Sequence, residues 1–290
     1  MALFLRSAVT TPADEHAWLR RSVLEYWHLL SLDAPTVAAL WTWFIGRTSH
    51  VPLPVTTPLT MFLAVWILYA IDRLLDTRGR EEVVTRDLEA RHRFHRRHDR
   101  EFIGVAVIAM SVLIVLIFGM PLGTLRLYVA LSALLIAWFA LIHLVTRVEP
   151  DHLPKELMTG FFFAAALFIP TISRAPWMRS GLLPAALWVA LLCSLNCLYI
   201  YRWEHEAQPE RTRGLTGRAL HALQWLTILG VLGPLCFASL GHAPLLVAAS
   251  LASGLLLVLD RFRSRVSRTH LRALADLVLL TPVLMLPFCK

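Results

Sequence analysis

The chain has little charge. Only 17% of its 290 residues are Asp, Glu, Lys or Arg, against 57% hydrophobic, and the mean hydropathy is +0.60. Water-soluble domains rarely combine such values, so an ordinary soluble enzyme is excluded, as is a disordered chain. Cysteine is scarce as well. Cys193, Cys197, Cys236 and Cys289 lie in or beside apolar runs and show no metal-binding or disulfide spacing, so neither a zinc module nor a disulfide framework is expected. A secretory leader is not expected, because Arg6 interrupts a very short apolar start.

Long uncharged runs take up most of the chain. No Asp, Glu, Lys or Arg occurs in 102–125, 127–146, 157–173, 180–201 or 219–259. A membrane-crossing helix needs about 20 mostly apolar residues. The last run is long enough for two helices, and the Leu-Gly-His-Ala-Pro at 240–244 marks a turn between them. Three further spans at 28–47, 57–75 and 271–288 bring the expected number to nine. The expectation is an all-α, polytopic membrane protein forming one integral-membrane domain over 1–290. Residues 1–31 read as an N-terminal interfacial helix. Thr-Pro-Ala-Asp at 11–14 fits a helix start, and Leu19, Val23, Tyr26, Trp27 and Leu30 recur at helical spacing.

Charge of either sign is nearly absent from one side of this layout. If the N-terminus is cytoplasmic, every Lys and Arg except Arg47, Arg126, Arg174, Arg179 and Lys290 falls on the cytoplasmic side, and all 20 acidic residues lie there or at helix ends facing it. The C-terminus then lies on the opposite side, and a bacterial chain would sit in the plasma membrane. The net charge of +8 follows from topology and contact with anionic lipid, so no nucleic-acid partner is expected. The polar segments are the cytoplasmic loops 77–101 and 202–218, after spans 2 and 6, and they read as caps over that face.

The second span ends in Trp-Ile-Leu-Tyr-Ala-Ile-Asp-Arg-Leu-Leu-Asp-Thr-Arg (66–78). Asp72 and Asp76 are one helical turn apart and share a face. Carboxylates beside lipid need a partner. A Mg²⁺ ion shared with a substrate diphosphate is one such partner; salt bridges to Arg73 and Arg78 are another. Span 6 closes with Leu-Asn-Cys-Leu-Tyr-Ile-Tyr-Arg-Trp-Glu-His-Glu (195–206), which offers oxygen from Asn196, Tyr199, Tyr201, Glu204 and Glu206. A solvated loop start accounts equally well for either glutamate alone, whereas a buried Asn196 requires hydrogen-bond partners. Lys155 opens span 5, where a helix N-terminus favours anions, although an isolated lysine there also snorkels to headgroups. Arg91 to His98 is the most basic stretch. Its His92, His95 and His98 do not match zinc spacing, and the interleaved arginines oppose a cation, so a cap over a polyanion is favoured. Aromatic side chains within the spans offer faces that attract a carbocation, besides their ordinary packing role.

Taken together, these segments resemble the UbiA superfamily of intramembrane prenyltransferases. Ser-Leu-Asp-Ala-Pro-Thr (31–36) is similar to that family's helix-1 start, and Tyr-Ala-Ile-Asp-Arg-Leu-Leu-Asp (69–76) to the second half of its first aspartate-rich motif. Leu-Pro-Lys-Glu-Leu (153–157) falls where the family has a basic residue opening helix 5. The 195–206 stretch falls at its second aspartate-rich motif. The chain departs from the family at Leu68 and Tyr69, which stand in place of Asn-Asp, and in the missing aspartates of the second motif. The resemblance implies a nine-helix bundle and Mg²⁺-dependent transfer of a prenyl chain from a polyprenyl diphosphate to an aromatic or other lipophilic acceptor. Asp72 and Asp76 are implied to hold one metal ion, and Asn196 with Glu204 or Glu206 a second. Arg73, Lys155, Arg91 and Tyr199 are implied to bind the diphosphate. A membrane terpene cyclase and a non-catalytic protein on the same scaffold are the alternatives.

Overall fold

The computed structural model describes residues 23–79, 99–146, 155–205 and 214–288, and only the backbone of 72–79, 99–100, 143–146, 214 and 240. Among the described residues the fold is all-helical. Twelve α-helices follow in order: α1 Val23–Leu29, α2 Asp33–Thr48, α3 Thr56–Gly79, α4 Asp99–Phe118, α5 Leu122–Thr146, α6 Lys155–Arg174, α7 Arg179–His205, α8 Gly214–His221, α9 Leu223–Phe237, α10 Ala243–Arg261, α11 Arg268–Val278 and α12 Pro282–Met285. Among the described residues, six helical segments are long and apolar enough to cross a membrane, or up to eight if each of two bent pairs counts as one span. α3 is apolar over Thr56–Ile71.

The two bends depart from the uninterrupted spans expected at 28–47 and 219–240. α1 meets α2 at 89°, and α8 meets α9 at 68°. The first bend has a local cause. The Ser31 amide donates to the His28 carbonyl and the Leu32 amide to the Trp27 carbonyl, while Ser31 takes a left-handed φ of 55°. This is a Schellman-type helix end, in which a residue in the left-handed region satisfies the last carbonyls and reverses the chain. A right-angle bend at this point also suits an interfacial segment leading into a span. The expected loop at 202–218 is shorter than the sequence suggested, because α7 continues to His205 and α8 begins at Gly214.

α2, α6, α7 and α10 meet in the core, through fully buried Trp41, Phe44, Leu167, Phe168, Leu195 and Leu245. α6 and α7 approach closely because Gly160 has no side chain: a Cβ there would collide with the Ser194 backbone. Ser194 Oγ seals the contact by donating to the Leu157 carbonyl at 2.9 Å. Small residues allow such backbone approach in membrane bundles. α4 and α5 are peripheral, with only 11% and 6% of their apolar windows buried. α4 packs on α3 through Trp66, Ile67, Ala109 and Leu113. The final span is broken at Pro282, which has no amide hydrogen to continue the ladder. The Leu279 carbonyl, at the end of α11, accepts Trp41 Nε1 at 2.8 Å, which ties α11 to α2.

Candidate functional site

The polar residues of the bundle gather at one end. α2 begins there at Asp33 and α7 reaches it at Asn196; α10 ends there at Asp260, and α11 passes through it at Asp276. The reversal at Ser31 turns the C-terminus of α1 back over the first turn of α2. His28 Nδ1 and Asp33 Oδ2 consequently stand 2.5 Å apart, both side chains almost fully buried. Asp33 Oδ1 also accepts the Ala34 amide at 3.1 Å, and a carboxylate in a first helical turn is favoured by the helix dipole. Asn196 Nδ2 donates to Asp276 Oδ1 at 3.0 Å. Ligand atoms of His28, Asp33 and Asp276 lie within 4.8 Å of one another. Asn196 Oδ1 is buried and has no hydrogen-bond partner among the described residues.

Three further pairings surround this cluster. Asp260, also buried, accepts Trp203 Nε1 at 2.9 Å and Arg202 at 3.3 Å, with Arg263 at 3.6 Å. Glu204 pairs with Arg272 at 2.5 Å. Thr216 Oγ1 donates to Glu156 at 2.8 Å. Buried carboxylates are costly unless paired, and these pairings meet that cost.

The residues singled out in the sequence are distributed as follows. Asn196 belongs to the buried cluster. Glu204 is at its rim, engaged by Arg272. The Tyr199 ring is fully buried and its hydroxyl bonds Thr227 at 2.8 Å. Lys155 is exposed at the start of α6 and lines a small hollow of about 160 Å³ with Leu135, Trp138 and Phe162. Asp72, Arg73 and Asp76 fall on α3, which stays helical through Gly79, but their side chains are outside the described residues. Arg91, His92, His95, His98 and Glu206 are outside them altogether. The position of α3 is fixed nearby, since Trp66 Nε1 donates to the Leu30 carbonyl at 3.1 Å. That bond places the turn of α3 that carries Trp66 beside the α1–α2 reversal.

Sequence reasoning missed the roles of His28, Asp33, Asp260 and Asp276. One signal was available: Asp276 is the single acidic residue of the C-terminal span, and intramembrane carboxylates mark functional sites by default.

An apolar cavity of about 450 Å³ opens along α3, between it and α4, lined by Leu30, Leu32, Phe62, Leu63, Trp66 and Phe102. Its size is within the range of small-molecule sites. No protein-family model, curated protein or solved structure matches the chain.

Proposed function

We propose that this chain is an intramembrane prenyltransferase of the UbiA type, transferring a prenyl group from a polyprenyl diphosphate to a lipophilic acceptor at the cytoplasmic face of the bilayer. The observation that carries this reading is the apolar cavity along α3, on the helix that ends in Asp72 and Asp76. A prenyl tail fits the cavity, and the diphosphate would then reach the last turns of α3. Asp72 and Asp76, four residues apart on a continuous helix, suit a hard cation with oxygen ligands, and would hold Mg²⁺. The ion's chemistry is to offset charge on the departing diphosphate. Arg73, Lys155 and Arg91 add positive charge for the same anion. The allylic carbon–oxygen bond breaks with its electron pair leaving on the diphosphate; an acceptor carbon or oxygen then bonds to the allylic carbon and releases a proton.

One observation favours a second reading, a non-catalytic membrane protein on this scaffold. Glu204, a candidate for the second metal set, is already neutralised by Arg272. The test is diphosphate release by purified protein with Mg²⁺ and a series of prenyl diphosphates, with and without acceptors. Acceptor-dependent release that falls by about 100-fold or more in Asp72→Ala supports transfer. Release without any acceptor points to cyclisation. Wild-type release no faster than that of Asp72→Ala or Asp76→Ala rejects an enzyme.

A further inference from the structure

The turn between α10 and α11 is the most basic connection among the described residues. Arg261, Arg263, Arg265 and Arg268 fall within 261–268, and no Asp or Glu stands between Asp260 and Asp276. Both flanking helices belong to segments long and apolar enough to cross a membrane, so the turn that joins them lies at a membrane surface. Nearby acid is already engaged within the protein. Buried Asp260 holds Arg263 through its carboxylate at 3.6 Å and through its main-chain carbonyl at 3.3 Å. Glu204 takes Arg272, and Glu25 stands 3.6 Å from His270. Arg261, Arg265 and Arg268 are exposed and make no ion pair among the described residues. The Arg265 guanidinium lies 5.6 Å from the centre of the Phe262 ring, which is itself 48% exposed. The backbone of the turn is fixed. The Arg265 amide donates to the Phe262 carbonyl at 2.9 Å, and Ser267 Oγ accepts the His270 amide at 3.3 Å where α11 begins. Charges presented from a fixed backbone need little ordering on binding.

We propose that this turn docks on anionic phospholipid headgroups of the surrounding bilayer. Arg261, Arg265 and Arg268 meet lipid phosphates. Phe262 sits at the boundary between headgroups and acyl chains, where aromatic side chains are favoured. Near an anionic surface each such arginine adds about fivefold to the preference for charged lipid. Arg263 marks the limit of the surface, because Asp260 turns its guanidinium inward. The diphosphate proposed at the end of α3 is a poorer occupant. α3 packs mainly on α2 and α4, whereas α10 packs mainly on α9 and α7. The inference does not depend on the transferase reading.

The full chain is reconstituted in vesicles of phosphatidylglycerol and phosphatidylcholine, extracted in mild detergent, and its retained lipid is counted by mass spectrometry. The preference for phosphatidylglycerol is expected to fall by at least about tenfold in Arg261→Gln/Arg265→Gln/Arg268→Gln, and by about fivefold in Arg261→Gln alone. Arg263→Gln removes the same charge as Arg261→Gln. It is expected to lower the melting temperature while leaving the lipid preference within about twofold of wild type. A second readout changes no charge: p-benzoylphenylalanine placed at Phe262 and irradiated in the same vesicles is expected to capture phosphatidylglycerol. An unaltered preference in the triple variant overturns the proposal, as does the absence of a lipid adduct at 262. Equal losses in Arg261→Gln and Arg263→Gln overturn it too, because the preference would then follow net charge alone. In phosphatidylcholine nanodiscs, inorganic diphosphate that raises the melting temperature of the wild type but not of the triple variant assigns the turn to a soluble anion instead.

Discussion

The two ends of the bundle are built from different materials. At one end, the carboxylates of Asp33 and Asp260 are buried and that of Asp276 is half-buried, and each is held by named partners. At the other, the buried polar side chains among the described residues are hydroxyls: Thr124 Oγ1 and Ser173 Oγ share a hydrogen bond at 2.7 Å, and Thr48 Oγ1 bonds its own helix at the Phe44 carbonyl. The backbone there is bent at His50 and His242, both in the left-handed region at φ 54° and 55°. An apolar helix can end in lipid headgroups with no more than hydroxyls and a turn. Burying charge is expensive, and a bundle does so at one end only where the charge has a use.

Matched substitutions at the two ends test this asymmetry. The largest difference is expected between two glycines. Gly160→Val drives a side chain into the Ser194 backbone and should abolish the folded state or cost at least about 3 kcal/mol, while Gly123→Val meets nothing within 4 Å and should fall within about 0.5 kcal/mol of wild type. Thermal unfolding in detergent, with size-exclusion to count folded protein, reads both. Next come the histidines. His28→Leu leaves Asp33 buried beside apolar carbon and should cost about 3–5 kcal/mol; His50→Leu, at an exposed position, should cost far less. Equal losses would show that the ends are not energetically distinct. Asp260→Asn keeps an acceptor for Trp203 but removes the charge that holds Arg202 and Arg263, for a loss of about 1–2 kcal/mol. Its counterpart, Ser173→Ala, removes a hydroxyl bond that should be worth about 0.6 kcal/mol.

The smallest effect is one of pH. His242 lies in the turn before α10, where burial pushes its imidazole below the usual histidine range and the neighbouring His50 adds to this, while a bond to the Thr48 carbonyl opposes it. The unfolded chain therefore takes up this proton first. Stability is complete above about 6.5, the ordinary histidine value, and declines as pH falls from there towards the lowered folded value. His242→Asn, which tolerates the left-handed turn, should flatten that decline. An unchanged pH profile of melting temperature would assign the decline to other groups.

The apolar helices were legible in the sequence because charge is absent from them, and absence over 20 residues is a local signal. The 89° reversal after α1 was not legible, since Ser31 is not a residue that announces a left-handed φ. The break at Ala222 was equally silent, because no Gly or Pro marks it. Of the site, Asn196 could be singled out as a buried amide, but its partner Asp276 could not be assigned. The two meet only when α7 and α11 pack, and no period within either helix encodes that contact. Glu204 was read as a possible ligand, and its distant partner Arg272 was out of view for the same reason.

The reversal at Ser31 also bears on the order in which this protein is made. His28 and Asp33 are only five residues apart, so their half of the cluster forms as soon as one short turn has closed, early in synthesis. Asn196 is added much later, and Asp276 arrives with the last span. The first half therefore stands without the residues of α7 and α11 until the final span docks through Trp41 on Leu279. Completion of the cluster thus reports that the first and last segments have met, and a ribosome-bound chain that stops before Arg268 would hold only the first half and the unpaired amide.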